Sequence, residues 1–166
     1  MILAIDVHYN DNTAVVAGVS FENWKDCTAK EVYTSKITNI EAYESGKFYK
    51  RELPCILSLL NEHNLTPEII IVDGYVYLDG KEEAGLGKYL YDKLNNGTII
   101  IGVAKAPYKS ISQEYALSRG KSKKALYITA KGLTLEDAKI AILSMCGKYR
   151  FPELLKKVDK LCRNNC

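Results

Sequence analysis

Apolar positions along this chain recur with two different spacings, and the change of spacing divides it into elements. Met1–Tyr9 and Thr13–Phe21 are apolar runs separated by Asn10, Asp11 and Asn12, which are turn formers, and predict a hairpin with a loop longer than the tightest kind. Lys30–Ile37 alternates polar and apolar residues and predicts an edge strand, so the opening is three antiparallel strands. An aromatic, irregular stretch follows, with Tyr43, Phe48 and Tyr49 around Gly46. From Glu52 to His63 the apolar residues Leu53, Ile56, Leu57 and Leu60 take helical spacing, with Pro54 in the first turn. Ile69–Val72 and Thr98–Ala104 are short continuous apolar runs, the pattern of strands buried on both faces, and a weaker helix over Lys88–Leu94 lies between them. Leu126–Thr129 predicts a further short strand. Thr134–Cys146 predicts a helix capped by Thr134 with Asp137, and Phe151–Cys162 predicts a final one. Three meandering strands followed by helix–strand units predict an α/β fold, a mixed sheet flanked by helices, in a single domain over residues 1–166.

Composition narrows the class without altering that outline. The chain has 166 residues, 47% hydrophobic and 26% charged, which excludes disordered, collagenous and repeat proteins. No apolar run approaches the roughly 18–20 residues that span a bilayer, and Met1 leads into Ile-Leu-Ala without a basic leader, so the expectation is a cytoplasmic protein with no membrane contact. The five cysteines form no CxxC pair, which argues against zinc; they read as reduced thiols, with Cys55 and Cys146 as small core residues. Charge changes the picture more. Residues 1–104 carry 9 Lys/Arg and 15 Asp/Glu, whereas residues 105–166 carry 14 and 5. Lys105, Lys109, Arg119, Lys121, Lys123, Lys124 and Lys131 fall within 27 residues against the single acid Glu114. Such a stretch suits a phosphate backbone, and equally a solvated lysine-rich loop.

Three acids stand out by position. Asp6 interrupts an apolar strand, where a charge is costly unless paired or bound to a cation. Asp73 ends a buried strand, where α/β sheets place ligands, and Glu52 opens the helix between those strands. Carboxylates gathered from separate elements offer Mg²⁺ its hard oxygen ligands, and phosphodiester hydrolysis draws on such a metal. Each acid also has a plainer reading: Asp73-Gly74 as a turn, Glu52 as a helix-dipole partner, Asp6 in a buried ion pair.

On these residues the chain resembles the endonuclease V family, nucleases acting on nucleic acid that contains deaminated adenine. Ala4-Ile5-Asp6-Val7 is similar to the family's first-strand motif, and Tyr43 to Pro54 to its stretch from Tyr-x-Pro-Gly to Phe-Arg-Glu-x-Pro. Ile71-Val72-Asp73-Gly74, Ile101-Gly102-Val103-Ala104-Lys105, Lys124 to Ile128 and Tyr149 to Glu153 resemble four further motifs in order. The resemblance implies an RNase H-like fold and a Mg²⁺-dependent endonuclease (Mn²⁺ as a substitute) cleaving DNA or RNA, with a place in DNA repair. It implies Asp6, Glu52 and Asp73 as metal ligands and catalytic residues, converging within one metal's reach. It implies Lys105 as the catalytic lysine and Tyr43 as the aromatic wedge. Tyr43, Gly74, Gly102, Lys109, Arg119, Lys121, Lys123, Lys124 and Lys131 are the expected nucleic-acid contacts, and no obligate protein partner is evident.

The chain departs from the family where bases are read. Lys131 stands where the family has histidine, which predicts a cation beside Asp6 competing with a second metal. Tyr75 follows Asp73-Gly74 where the family has glycine, Lys88-Tyr89 replaces Ser-His, and Glu44 follows the wedge tyrosine. These departures imply an altered base pocket, with a catalytically weak nucleic-acid-binding module as the alternative reading.

Overall fold

The computed structural model describes residues 1–40, 42–109 and 111–165. A seven-stranded mixed sheet forms its centre: β1 (Ile2–Asn10), β2 (Thr13–Phe21), β3 (Glu31–Thr38), β4 (Ile69–Asp73), β5 (Ile99–Ala104), β6 (Ala116–Leu117) and β7 (Leu126–Lys131). The order across the sheet is β3-β2-β1-β4-β5-β7-β6. The opening meander is antiparallel, β1, β4 and β5 run parallel, and β7 returns antiparallel to β5. Four helices cover the faces: α1 (Tyr49–Glu62), α2 (Leu86–Leu94), α3 (Leu135–Ser144) and α4 (Glu153–Asn164). This is the α/β, RNase H-like arrangement that the hydrophobic pattern and the resemblance predict.

Strand alternation sorts the core into two layers, because successive side chains leave a strand on opposite faces. Leu3, Ile5, Ile70, Val72 and Ile100 pack with Ile56, Leu59 and Leu90, so α1 and α2 cover that face. Ala4, Ile71, Ile101 and Val103 pack with Ala138, Ile142, Leu155 and Val158, so α3 and α4 cover the other. By this parity Asp6, Asp73 and Lys105 leave the sheet on the α4 face.

Several boundaries differ from the sequence reading for physical reasons. α1 begins at Tyr49, so Pro54 lies inside the helix rather than in its first turn. Its buried stripe is Glu52, Cys55, Ile56, Leu59 and Leu60, not the expected Leu53 and Leu57. The helix is turned so that Glu52 shares the core-facing stripe at i, i+3, i+4, i+7 and i+8. Thr134 caps α3 as expected, accepting the Asp137 N–H at 3.1 Å. Strand β6 has two residues, too few to leave a period in the sequence.

The cysteines require a correction. Cys27, in the β2–β3 connection, is disulfide-bonded to Cys146, just after α3, so these two are neither reduced nor plain core residues. They are 119 residues apart, which no spacing rule reveals. Cys55 and Cys162 are free and buried, and Cys166 lies outside the described residues.

Candidate active site

Asp6 and Asp73 become neighbours through the parallel pairing of β1 with β4. Ile5 pairs with Val72, so the next residue on each strand is an aspartate. Lys105, one residue past the end of β5, donates from Nζ to Asp73 Oδ2 at 3.0 Å. A fourth group joins them from α4: Asp159 Oδ1 lies 3.8 Å from the same ammonium and 3.1 Å from Arg163 Nε. The ring of Phe151 sits beneath Lys105 Nζ at 4.7 Å from its centroid. Arg150 donates to the carbonyls of Lys105, at 3.1 Å, and Ala125, at 3.3 Å, fixing the backbone that carries the lysine.

Glu52 reaches the same end of the sheet from the opposite face. It is 2% exposed, and its Oε2 is buried with no hydrogen-bond partner. Burial, and then the charges of Asp6 and Asp73, hold its carboxyl well above the usual range. Asp6 is pushed up to about 7, first by burial and then by Asp73, against the Val7 N–H and Lys105. Lys105 keeps its proton above the ordinary lysine value: burial opposes its charge, but Asp73, Asp6 and Asp159 outweigh it. The thiol of Cys162 packs against Asp6 and is raised to about 12 by its own burial and by that carboxylate.

The three predicted carboxylates therefore share one electrostatic environment but not one coordination sphere. Among the described residues, no three His, Cys, Asp or Glu side chains are gathered closely enough to hold a metal ion as they stand. The reason is geometric: two of the acids hang on the α4 face, the third comes from α1 on the other, and the Lys105 ammonium occupies Asp73. Asp159 was missed by the sequence reading. It sits in an amphipathic helix among lysines, and only its i, i+3 relation to Cys162 and Lys156 hints that it faces inward.

The expected nucleic-acid contacts separate into three groups. Tyr43 is 63% exposed, beyond Arg51, whose guanidinium lies 4.1 Å from the centroid of Tyr9 and 5.8 Å from that of Tyr43. Glu44, beside it, accepts from both Lys47 and Lys50. Lys121, Lys123 and Lys124 are exposed in the β6–β7 loop, and exposed Lys109 lies 3.9 Å from Glu83. Gly74 lines a cleft of about 110 Å³ with Gly46, Phe48, Tyr49, Tyr75 and Leu86.

Three placements correct the expectation. Arg119 is 4% exposed and spends its guanidinium on the carbonyls of Tyr149 and Met145, so it is a buried brace. Gly102 is buried in β5; a Cβ there would stand 2.6 Å from the Gly74 carbonyl and 2.7 Å from Thr129 Oγ1. It makes room for the turn after Asp73 rather than for a ligand. Lys131 pairs with Ile100, three residues before Val103, whose partner is Asp73, so it lies at the far end of the sheet. Its ammonium rests 5.6 Å from the ring centroid of Tyr91 on α2, on the other face from Asp6.

Comparison with known proteins bears on the family and the fold. The family model described as Endonuclease V matches residues 1–134. An endonuclease V from Streptomyces avermitilis is 25% identical over 98% of this chain and 79% of its own length. One from Nostoc punctiforme is 27% identical over 91% of this chain and 76% of its own. Among solved structures, that of Ciona intestinalis endonuclease V, in complex with a 24mer DNA containing an inosine followed by a ribo-adenosine, superposes with a TM-score of 0.78. It is 22% identical, covering 99% of this chain and 84% of that one. A Marinitoga piezophila Argonaute shares the fold at a TM-score of 0.52 and 13% identity, over 97% of this chain and 29% of its own.

Proposed function

The chain belongs to the endonuclease V family, and we propose on that footing that it hydrolyses phosphodiester bonds of DNA or RNA at the Asp6–Asp73–Lys105 cluster, with Mg²⁺ or Mn²⁺ as cofactor. The observation that carries the reading is the buried, unpartnered oxygen of Glu52 facing two further carboxylates beside a lysine. Buried like charges with raised proton affinity are what a divalent cation relieves, and all three groups are hard oxygen donors. The donor set fits such an ion in charge and chemistry, and requires the carboxyl groups to draw closer than they stand. Asp6, Glu52 and Asp73 would hold it. When bound, it supplies charge neutralisation at the phosphate and an acidified water.

The chain's own groups do the rest. One proton of the Lys105 ammonium is held by Asp73, and Asp159 keeps the head group aimed. That leaves a proton to donate to a phosphate oxygen as the leaving oxygen gains charge. Asp6 would serve as an ionised ligand once the ion is held, because the divalent charge opposes the burial that raises its proton affinity. Base choice differs from that of the family, because Tyr75, which follows Asp73-Gly74 where the family has glycine, lines the cleft and is fixed there, donating from its hydroxyl to the Ala106 carbonyl at 2.6 Å and accepting from the Tyr108 N–H at 3.1 Å. In this reading the protein works in the cytoplasm, with its nucleic acid.

The ion pair between Lys105 and Asp73 gives a second reading, a binding module of little activity, its specific support. Cleavage of labelled single- and double-stranded DNA and RNA, with and without inosine, in Mg²⁺ and in Mn²⁺, decides between them. Metal-dependent cutting that Asp6→Asn abolishes is the expected result. Salt-sensitive binding without cutting in either metal would replace the first reading by the second.

A further inference from the structure

We infer that the strand-binding surface continues past Lys105 onto Tyr149 and the exposed lysines around α4, with the Tyr149 ring as a stacking platform for a base and the lysines as phosphate contacts. This rests on the nucleic-acid reading above.

Residues 149–151 form one strap across the active site. Phe151 underlies the Lys105 ammonium, Arg150 grips the Lys105 carbonyl, and Tyr149 follows on the outside, 55% exposed. The ring stays outside because its backbone is pinned from beneath. Arg119 donates to the Tyr149 carbonyl at 2.5 Å, and Gly120 packs so closely that a Cβ there would lie 2.7 Å from the Lys148 carbonyl. An exposed aromatic alone is ordinary. This one is bracketed by cations, with Lys156 Nζ 4.3 Å and Lys148 Nζ 5.3 Å from the ring centroid.

The distribution of paired charges supplies a second observation. Among the described residues, Lys148, Lys157, Lys160 and the three exposed lysines of the β6–β7 loop hold no acidic side chain. Several of these stand beside the strap: Lys148 at the Tyr149 ring, and Lys157 and Lys160 on α4 next to Lys156. Lysines flanking an exposed ring, with the Lys105 ammonium reached through Phe151 two residues on, match the stacking and phosphate chemistry of a single strand. Tyr43 and Tyr149 then contact the strand on opposite sides of the carboxylates.

Fluorescence anisotropy on labelled single-stranded DNA and RNA 20-mers, in EDTA so that nothing is cut, tests this. Tyr149→Ala should weaken binding about tenfold, the scale of one lost base stack, while Tyr149→Phe binds like the parent. Lys160→Glu should weaken binding and flatten its dependence on salt. The DNA and RNA arms show which sugar the surface accepts. A parent protein that binds neither strand overturns the nucleic-acid reading together with this inference. A parent that binds, with Tyr149→Ala unchanged and equally stable to heat, overturns the inference alone.

Discussion

On the α4 face of the sheet, three adjacent strands each place one charged residue side by side: Asp6 midway along β1, Asp73 at the end of β4 and Lys105 just past β5. On the α1 and α2 face the adjoining positions are Ile5, Val72 and Ala104, and the chemistry arrives instead from a helix and loops: Glu52, Tyr43 and the cleft beside Gly74. The same strands thus present a charged, tightly braced face and an apolar face capped by irregular chain. Strand pairing holds the first set within one residue of register, whereas loop sequence, which is free to vary, shapes the second.

The sharpest way to break the comparison is Asp6→Asn. It should lower metal-dependent cleavage by about three orders of magnitude, the several kcal/mol that a metal site supplies. It should also change stability against pH in the opposite sense to a lost salt bridge. A carboxyl raised from 3.8 to about 7 binds its proton more tightly in the folded protein. Its contribution is therefore fully present below about pH 4 and lost as pH rises through 7, by up to about 4 kcal/mol. Urea unfolding in EDTA from pH 4 to 8 should show that decline for the parent and a flatter curve for Asp6→Asn.

Lys105→Met comes next. Removing the ammonium that Asp73 and Asp159 hold should cut kcat about a hundredfold with little change in KM, measured in single-turnover assays. Asp159→Asn, which only aims that ammonium, should cost about tenfold. An Asp159→Asn loss as large as that of Lys105→Met would place Asp159 among the groups acting directly.

The disulfide tests how far the α4 face depends on its brace. Cys27 is exposed, and Cys146 lies just after α3, its carbonyl accepting the Glu153 N–H at 2.9 Å. Dithiothreitol, or Cys27→Ser, should lower unfolding stability by about 5 kcal/mol on the loop-entropy scale, with cleavage well below the melting temperature kept. Smallest is Lys131→His. From the sequence alone this change is expected to raise cleavage; with Lys131 at the far end of the sheet on the α2 face, rate and metal affinity should stay as they are.

The sequence by itself determined the helices and every strand but the two-residue β6, because two hydrophobic periods and the Asn10–Asn12 and Thr134 signals are local. It also singled out Asp6, Glu52 and Asp73, because an acid in an apolar run is conspicuous wherever the run folds. It misjudged what depends on orientation. Lys131 and Arg119 share a basic stretch with Lys121, yet β7 register carries one to the wrong end and burial turns the other into a brace. Whether three acids face one another depends on strand parity and on the turn of α1, and whether Cys27 meets Cys146 depends on how the β2–β3 connection meets the end of α3. Those are relations between residues distant along the chain, set by packing across the sheet, and only the tertiary structure decided them.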